Sequence, residues 1–219
     1  MTENHWGSMQ FDSHDIRLKD IVSTRLEGFE SVKRDNPDLR QAAVSIVVLP
    51  NPDCRTPSVL VTMRPATMNR HAGQYALPGG RLDDGETDAE AALRELREEV
   101  GLHLSHDDII GQLDDFETRS GFRIAPYVLW AEDTDTLAPD PTEVASMHFV
   151  PLTELNDPNI PQMIPSRAGE DPVMSAYFPS LGHSMFAPTA AMLYQFREVA
   201  LRGEHTRVAH FEQPRFTWS

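Results

Sequence analysis

The sequence predicts a mixed α/β protein, because short runs of β-branched and apolar residues alternate irregularly with segments of helical periodicity. The chain has 219 residues, 40% of them apolar and 24% charged, which suits one domain with elaborations. We expect three ranges: an N-terminal helical extension over 1–35, the main domain over 36–203, and a C-terminal tail over 204–219. The tail is expected to pack on the domain or on a partner chain.

The predicted elements can be justified in chain order. A helix is expected over about 14–34, where Ile16, Ile21, Leu26 and Phe29 recur at roughly helical spacing. Two strands over 42–49 and 59–63 are expected to pair, because the turn-forming segment 50–53 separates them. A second helix over 87–101, a third strand over 122–131 and a last helix over 188–202, which begins at a proline, complete the prediction.

Charge and composition disfavour several classes of function. Thirty-four acidic residues against nineteen Lys and Arg give a net charge of −15, which would repel a nucleic-acid backbone. No apolar stretch approaches the ~20 residues that span a bilayer. Residues 1–15 lack the apolar core of a secretory signal, and the single Cys54 cannot form an internal disulfide. We therefore expect a cytoplasmic protein that binds neither nucleic acid nor membrane.

The helix over 87–101 has its own start and stop signals. Thr87 and Glu90 have the spacing of a capping box, and Gly101 suits the left-handed residue that ends a helix. An apolar stripe is expected to face the core; it consists of Ala89, Leu93, Leu96 and Val100.

Three carboxylates of this helix are expected to converge. Glu95, Glu98 and Glu99 stand at i, i+3 and i+4, the spacing that brings helical side chains together. One interpretation is a solvated acidic face. The other is a site for Mg²⁺ or Mn²⁺, because these hard cations prefer carboxylate oxygens and bind together with substrate phosphates.

The spacing of the whole segment resembles the Nudix box. It reads Gly80, five residues, Glu86, seven residues, Arg94-Glu95-Leu96, one residue, Glu98-Glu99, one residue, Gly101-Leu102. The resemblance implies the Nudix α/β/α sandwich, with a central mixed β-sheet. It also implies a metal-dependent enzyme that hydrolyses a nucleoside diphosphate linked to another group, with Mg²⁺ or Mn²⁺ as cofactor.

The same resemblance implies a role for each matching residue. Glu95, Glu98 and Glu99 would bind metal, Glu86 would bind or orient within the same cluster, and the Gly80 carbonyl would add a ligand. Arg94 would hold a glutamate in place through a charge-assisted hydrogen bond. The group that takes the proton of the attacking water is either Glu95 or a later carboxylate. Glu143 is the candidate for the latter, because the segment 141–144 resembles one that precedes a late strand in many Nudix proteins.

The segment before the box points to the substrate. Residues 54–82 contain four arginines and no acidic residue, which would help an anionic substrate approach. Residues 60–80 resemble the coenzyme A diphosphatase signature, with agreement at Thr62, Arg64, Gly73 and 78–80. They depart from it at Pro65, Asn69 and Leu77, and Arg70 stands one residue after the usual arginine. We expect substrate to be bound by Arg64, Arg70, His71 and Arg81.

Three functional hypotheses follow from these resemblances. The first is hydrolysis of coenzyme A or acyl-coenzyme A to adenosine 3′,5′-bisphosphate and 4′-phosphopantetheine or its acyl form. The second is a Nudix pyrophosphatase for ADP-ribose or another nucleotide sugar. The third is a non-catalytic Nudix sensor, although such modules commonly lose the carboxylates that this sequence keeps. The expected partner is a small nucleotide diphosphate, and a homodimer is compatible with the family.

Overall fold

The computed structural model describes residues 16–66, 73–164, 173–211 and 213. Four α-helices are described: α1 (Ile16–Glu27), α2 (Asp88–Val100), α3 (Leu152–Leu155) and α4 (Thr189–Phe196). The described strands are β1 (Arg40–Pro50), β2 (Pro57–Met63), β3 (Tyr75–Ala76), β4 (Gly79–Arg81), β5 (Ile109–Gln112), β6 (Phe116–Glu117), β7 (Phe122–Trp130), β8 (Ser146–Pro151), β9 (Gln162–Ile164), β10 (Val173–Phe178) and β11 (His183–Phe186).

A mixed sheet forms the centre of the described part. Strand β1 runs parallel to β7, from the pair Arg40↔Phe122 to the pair Val48↔Trp130. On its other edge β1 is antiparallel to β4 and then to β2. Strand β8 lies antiparallel to β2, and β5 and β6 lie antiparallel to β7. The predicted pairing of the first two strands is confirmed, and so is the central mixed sheet.

Strand β1 separates two layers of apolar packing. Its side chains alternate between the two faces of the sheet, because successive Cβ atoms of a strand point in opposite directions. Ala43, Val47 and Leu49 pack on the side of α2, where Leu96 and Val100 join them. Ile46 and Val48 pack on the opposite side with residues of α1 and α4. Helices thus cover both faces of the sheet, as the predicted α/β/α arrangement requires.

Helix α1 is shorter than the sequence predicts. It ends at Glu27, and the chain beyond it has no regular secondary structure up to residue 36. Two neighbouring carboxylates hold this segment, because Val32 N donates to Asp114 Oδ1 and Arg34 N donates to Asp115 Oδ2, both at 2.8 Å. Phe29 remains buried outside the helix. The predicted helix is confirmed over 16–27 and is wrong over 28–34, whereas residues 14 and 15 lie outside the described residues.

Helix α2 begins and ends as predicted, but its buried face is different. The fully buried side chains are Ala91, Ala92, Leu96, Glu99 and Val100. The predicted stripe is confirmed at Leu96, Val100 and the half-buried Leu93, which pack in one core cluster, and is wrong at Ala89, which is half-buried outside it. Ala91 and Ala92 pack against Ala43 and Ala125 of the sheet, so small residues allow the helix to lie close to it. Because this face of α2 packs against the sheet, the side chain of Glu99 is buried as well.

The chain after β8 contains strands that the sequence analysis did not predict. Strands β9, β10 and β11 form a separate antiparallel sheet. The last helix lies where it was expected, with α4 continuing as a π-helix over Arg197–Arg202. The segment that follows packs on the body of the protein, where Val208 is buried. The division into 1–35, 36–203 and 204–219 stays a prediction.

The described helices include none that has both the length and the apolar character of a membrane span.

Candidate active site

Helix α2 is fixed at both ends by the residues that the sequence indicates. Thr87 Oγ1 accepts from Glu90 N at 3.3 Å, and Glu90 Oε2 accepts from Thr87 N at 2.8 Å. Gly101 ends the helix with φ 71°. A side chain there would meet the backbone nitrogen of Ala138 at 2.8 Å, so glycine is needed for space as well as for conformation. The capping prediction is confirmed.

Three carboxylates meet beside α2. Glu95 and Glu99 come from the helix, and Glu143 comes from the loop between β7 and β8. One carboxylate oxygen from each lies within 4.8 Å of the other two. The side chain of Glu99 is only 3% exposed, that of Glu95 is 15% exposed, and Glu143 is exposed. We call Glu95, Glu99 and Glu143 the carboxylate cluster.

Two glycines of β4, Gly79 and Gly80, lie against the carboxylate cluster. Gly79 N donates to Glu99 Oε2 at 3.2 Å. Gly79 has φ 152°, and a Cβ there would lie 2.3 Å from the carbonyl oxygen of Ala43 in β1. A Cβ on Gly80 would lie 2.3 Å from Glu95 Oε1. A side chain at Gly79 would therefore clash with β1, and a side chain at Gly80 would displace the Glu95 carboxylate.

Arg94 donates hydrogen bonds to three acidic residues of the Nudix box. Its Nε and Nη2 donate to the two oxygens of Glu86 at 2.8 and 3.0 Å. Its Nη1 donates to Glu95 Oε1 at 2.9 Å and to Glu98 Oε2 at 3.0 Å. Its Nη2 also donates to the Arg81 carbonyl at 2.9 Å. One planar guanidinium thus fixes α2 to the loop before it, which suits its fork of donors.

The electrostatics distinguish these carboxylates from one another. Burial raises the pKa of Glu99 to about 8, although the hydrogen bond from Gly79 opposes the shift. Burial also raises the pKa of Glu95, and Arg94 acts against it. The hydrogen bond from Arg94 lowers the pKa of Glu86. Glu86 is therefore a stable anion that is already paired, whereas the buried Glu99 has only a longer ion pair, with Arg64 at 3.8 Å.

A divalent cation would add positive charge beside the carboxylate cluster. The Arg64 guanidinium approaches Glu99 only to 3.8 Å, beyond hydrogen-bonding distance, so a hard cation among the three oxygen donors would supply the missing charge. Carboxylate oxygens are the donors that Mg²⁺ and Mn²⁺ prefer. Glu98 and Glu86 are not part of the carboxylate cluster: the side chain of Glu98 is 52% exposed, and both residues are hydrogen-bonded to Arg94.

The carboxylate cluster opens into a cleft of about 690 Å³. Arg64 and Arg81, two of the predicted substrate-binding residues, line it together with Gly80. The cleft is also lined by residues for which the sequence predicts no role, among them Thr118, Ser120, Phe122 and Gln213. No local pattern indicates them, because they reach the cleft through pairings between distant parts of the chain. The predicted binding residues Arg70 and His71 lie outside the described residues.

Comparisons with known proteins agree with this architecture. The NUDIX domain profile matches residues 39–169. An uncharacterized Nudix hydrolase named NudL from Photorhabdus laumondii subsp. laumondii is 32% identical over 186 residues, which are 84% of this chain and 97% of that protein. A protein of the same name from Cronobacter sakazakii is 39% identical over 126 residues, or 56% of this chain. That match spans 63% of the Cronobacter protein, and matches to the NudL proteins of Pectobacterium atrosepticum and Yersinia enterocolitica span 59% and 57% of theirs.

A solved structure supports the fold. The MutT/nudix family protein from Enterococcus faecalis aligns with a TM-score of 0.52 at 18% identity, over 83% of this chain and 69% of that one. Taken with the profile match over 39–169 and the nearly full-length likeness to the Photorhabdus protein, this shows that the chain belongs to the NUDIX domain family.

Proposed function

We propose that this protein is a Mg²⁺- or Mn²⁺-dependent hydrolase that cleaves the diphosphate of coenzyme A or acyl-coenzyme A. The products would be adenosine 3′,5′-bisphosphate and 4′-phosphopantetheine or its acyl form. One observation carries the proposal: the carboxylate cluster, with oxygens within 4.8 Å of one another, lies at the wall of a cleft of about 690 Å³. A cleft of this volume is in the usual range for a small-molecule site.

Glu95, Glu99 and Glu143 would hold the cation, and the Gly80 carbonyl, Glu86 and Glu98 are the further ligands that the box implies. When bound, Mg²⁺ or Mn²⁺ supplies charge neutralisation for the diphosphate and lowers the pKa of a coordinated water. Arg94 orients Glu95 through its hydrogen bond at 2.9 Å. It also donates hydrogen bonds to Glu86 and Glu98.

The arginines of the cleft would bind the substrate phosphates. Arg64 and Arg81 both line the cleft, and Arg64 Nε is buried without a hydrogen-bond partner. A phosphate oxygen would satisfy this donor, because a buried donor that lacks a partner costs about 1–3 kcal/mol. Arg70 and His71 stay predicted binding residues on the evidence of the sequence.

Proton transfer would involve one of two carboxylates that face the cleft. Glu95 and Glu143 both line the cleft, where the attacking water must lie. Glu95 is held rigidly by Arg94, whereas Glu143 is exposed on its loop. Either carboxylate oxygen can accept the proton as the water attacks phosphorus, and pH profiles of single Gln variants would separate the two roles.

Coenzyme A is favoured over other diphosphates by the signature in 60–80. Part of the cleft wall is also apolar, which suits a pantetheine arm; it includes Val44, Leu77, Ile124 and Met192. A pyrophosphatase for ADP-ribose or a nucleotide sugar is the alternative enzyme. We further propose a cytoplasmic location, and a homodimer as the oligomeric state to test.

A substrate panel tests the proposal. The purified protein is incubated with Mg²⁺ and coenzyme A, acetyl-coenzyme A, ADP-ribose, diadenosine polyphosphates or a nucleotide sugar, and the products are separated. Coenzyme A and its acyl form should give the highest kcat/KM, and Glu99→Gln prepared in parallel should lack the activity. A preference for ADP-ribose would favour the alternative enzyme. Binding without turnover of any compound would favour a nucleotide sensor.

A further inference from the structure

The turn between β6 and β7, together with the first residue of β7, supplies polar and aromatic groups to the wall of the cleft. Thr118, Ser120 and Phe122 all line the cleft there, beside Arg81. The Arg81 guanidinium carbon lies 5.5 Å from the centre of the Phe122 ring. Two hydroxyls, a cation and an aromatic ring suit a nucleoside, whose base can stack and whose sugar offers hydrogen-bonding groups.

The turn is held from one side by β1. Arg40 Nη2 donates to the Ser120 carbonyl at 2.6 Å, and its guanidinium lies 3.9 Å from the centre of the Phe122 ring. Within the turn, Thr118 Oγ1 lies 3.0 Å from Ser120 Oγ and accepts from Phe122 N at 2.9 Å. These contacts fix the first strand residue and the tip of the turn.

The C-terminal segment holds the turn from the other side. Gln213 Oε1 accepts from Arg119 N at 3.2 Å, and Gln213 Nε2 donates to the Glu117 carbonyl at 3.2 Å. Gln213 is only 4% exposed, and it lines the cleft next to the turn that it binds. A single side-chain amide thus bridges the backbone on both sides of Thr118.

The position of Gln213 is set by contacts of the preceding segment with the body of the protein. Arg207 forms an ion pair with Asp114, and its Nη2 donates to the Glu30 carbonyl at 3.0 Å. Phe211 packs edge-on against Tyr194 of α4, with 6.0 Å between the ring centres. Since Gln213 lies far beyond residue 169, where the family profile ends, the family match assigns it no role.

We propose that Gln213 is a positioning residue that determines specificity for the nucleoside part of the substrate. It holds the backbone around Thr118, and so it sets where Thr118, Ser120 and Phe122 meet the ligand. This inference rests on the proposed function, because it takes the cleft as the diphosphate site. It adds that the C-terminal segment, and not only the Nudix box and its flank, decides which nucleoside the site accepts.

The test compares Gln213→Met with the wild-type protein. Methionine fills similar space but removes both hydrogen bonds, and Gln162→Met on the exposed strand β9 is the matched control. Three substrates are used: coenzyme A, 3′-dephospho-coenzyme A, which differs at the nucleoside, and acetyl-coenzyme A, which differs at the thiol. If the panel selects ADP-ribose instead, ADP-ribose and GDP-ribose form the pair that differs at the nucleoside.

We expect Gln213→Met to raise KM for coenzyme A by about fivefold to tenfold, the effect of losing one or two hydrogen bonds, with kcat within about twofold. The ratio of kcat/KM between coenzyme A and its 3′-dephospho form should shift by about threefold or more, whereas the ratio to acetyl-coenzyme A should stay constant. Gln213→Glu, which keeps an acceptor for Arg119 N, should fall between Gln213→Met and the wild-type protein.

An unchanged nucleoside ratio, or equal shifts of both ratios, would overturn the inference, because a general loosening of the fold affects all substrates alike. Gln213→Glu supplies the same comparison if Gln213→Met does not fold. A wild-type protein that hydrolyses no diphosphate would instead refute the proposed function, so the two failures are distinguishable.

Discussion

The carboxylate of Glu95 lies directly against the backbone of Gly80. A Cβ built on Gly80 would stand 2.3 Å from Glu95 Oε1 and 2.4 Å from its carboxylate carbon. The φ angle of Gly80 lies outside the left-handed region, so an alanine there would displace the Glu95 carboxylate without straining the backbone. Gly80 therefore determines the position of a predicted metal ligand.

Gly80→Ala should displace Glu95 while the fold is retained. We expect kcat/KM to fall by about tenfold to a hundredfold, since small misplacements of catalytic groups have effects of this size. Activity titrated against Mg²⁺ measures the loss, and circular dichroism checks the fold. Gly28→Ala is the control, because its new methyl group would meet only ordinary contacts at 3.6 and 3.7 Å. Full activity of Gly80→Ala would show that the position of Glu95 does not matter.

Glu99→Gln should remove most of the activity. Glu99 is the most buried member of the carboxylate cluster, and an amide cannot supply a negatively charged ligand. We expect kcat to fall by about a hundredfold or more at saturating Mg²⁺. Glu27→Gln, on the exposed face of α1, should leave activity unchanged. Wild-type rates in Glu99→Gln would exclude Glu99 as a metal ligand.

The stability of the metal-free protein should depend on pH through Glu99. The folded pKa is about 8, whereas an unfolded glutamate titrates near ~4.3. The folded state therefore holds more protons than the unfolded chain between these values, and stability from this group falls as pH rises from ~4.3 to about 8. Glu99→Gln does not titrate, so in a chelator its Tm should increasingly exceed that of the wild-type protein over this window.

Added Mg²⁺ should reverse this trend in the wild-type protein. Metal ligands must be deprotonated, so the rise in Tm on adding Mg²⁺ should be larger at pH ~8.5 than at pH ~6. The same addition should have little effect on Glu99→Gln. A difference in Tm between the two proteins that is independent of pH would contradict the assignment.

Arg94→Lys should weaken metal binding although the charge is conserved. Arg94 bonds Glu86, Glu95 and Glu98 at once, and a single ammonium cannot reproduce this fork. We expect activity to fall by about tenfold, in the range found when groups that orient metal ligands are changed, with a higher Mg²⁺ requirement. Arg97→Lys on the exposed face of α2 is the control. If Arg94→Lys and Arg97→Lys reached half-maximal activity at the same Mg²⁺ concentration, the hydrogen bonds of the Arg94 guanidinium would have no effect on metal binding.

The sequence predicts the local parts of the site well. Thr87, Glu90 and Gly101 mark the ends of α2 because capping depends on a few neighbouring residues. The convergence of Glu95 and Glu99 follows from helical spacing, whereas Glu98, predicted to converge with them, bonds Arg94 outside the carboxylate cluster. Helical spacing does not determine which face of α2 packs on the sheet, because this depends on the close approach of Ala91 and Ala92 to β1 and β7.

Contacts between distant segments escaped the sequence analysis. Gln213 meets Arg119 and Glu117 through hydrogen bonds that leave no periodic pattern. The short strands β3, β4 and β6 have two or three residues each, too few for an alternation of apolar and polar side chains to appear. The segment after α1 is likewise held by Asp114 and Asp115, which lie far along the chain.

The parallel pairing of β1 with β7 has a consequence for biosynthesis. Strand β1 leaves the ribosome long before β7, and the entire box is translated between them. The chain between β1 and β7 must lose conformational entropy before the two strands can form their hydrogen bonds. We therefore expect the pairing of β1 with β7 to be slow. Helix α2 can pack on β1 and β4 before then, but Glu143 follows β7 in the chain. A nascent chain should therefore complete the carboxylate cluster late, after Glu143 has emerged.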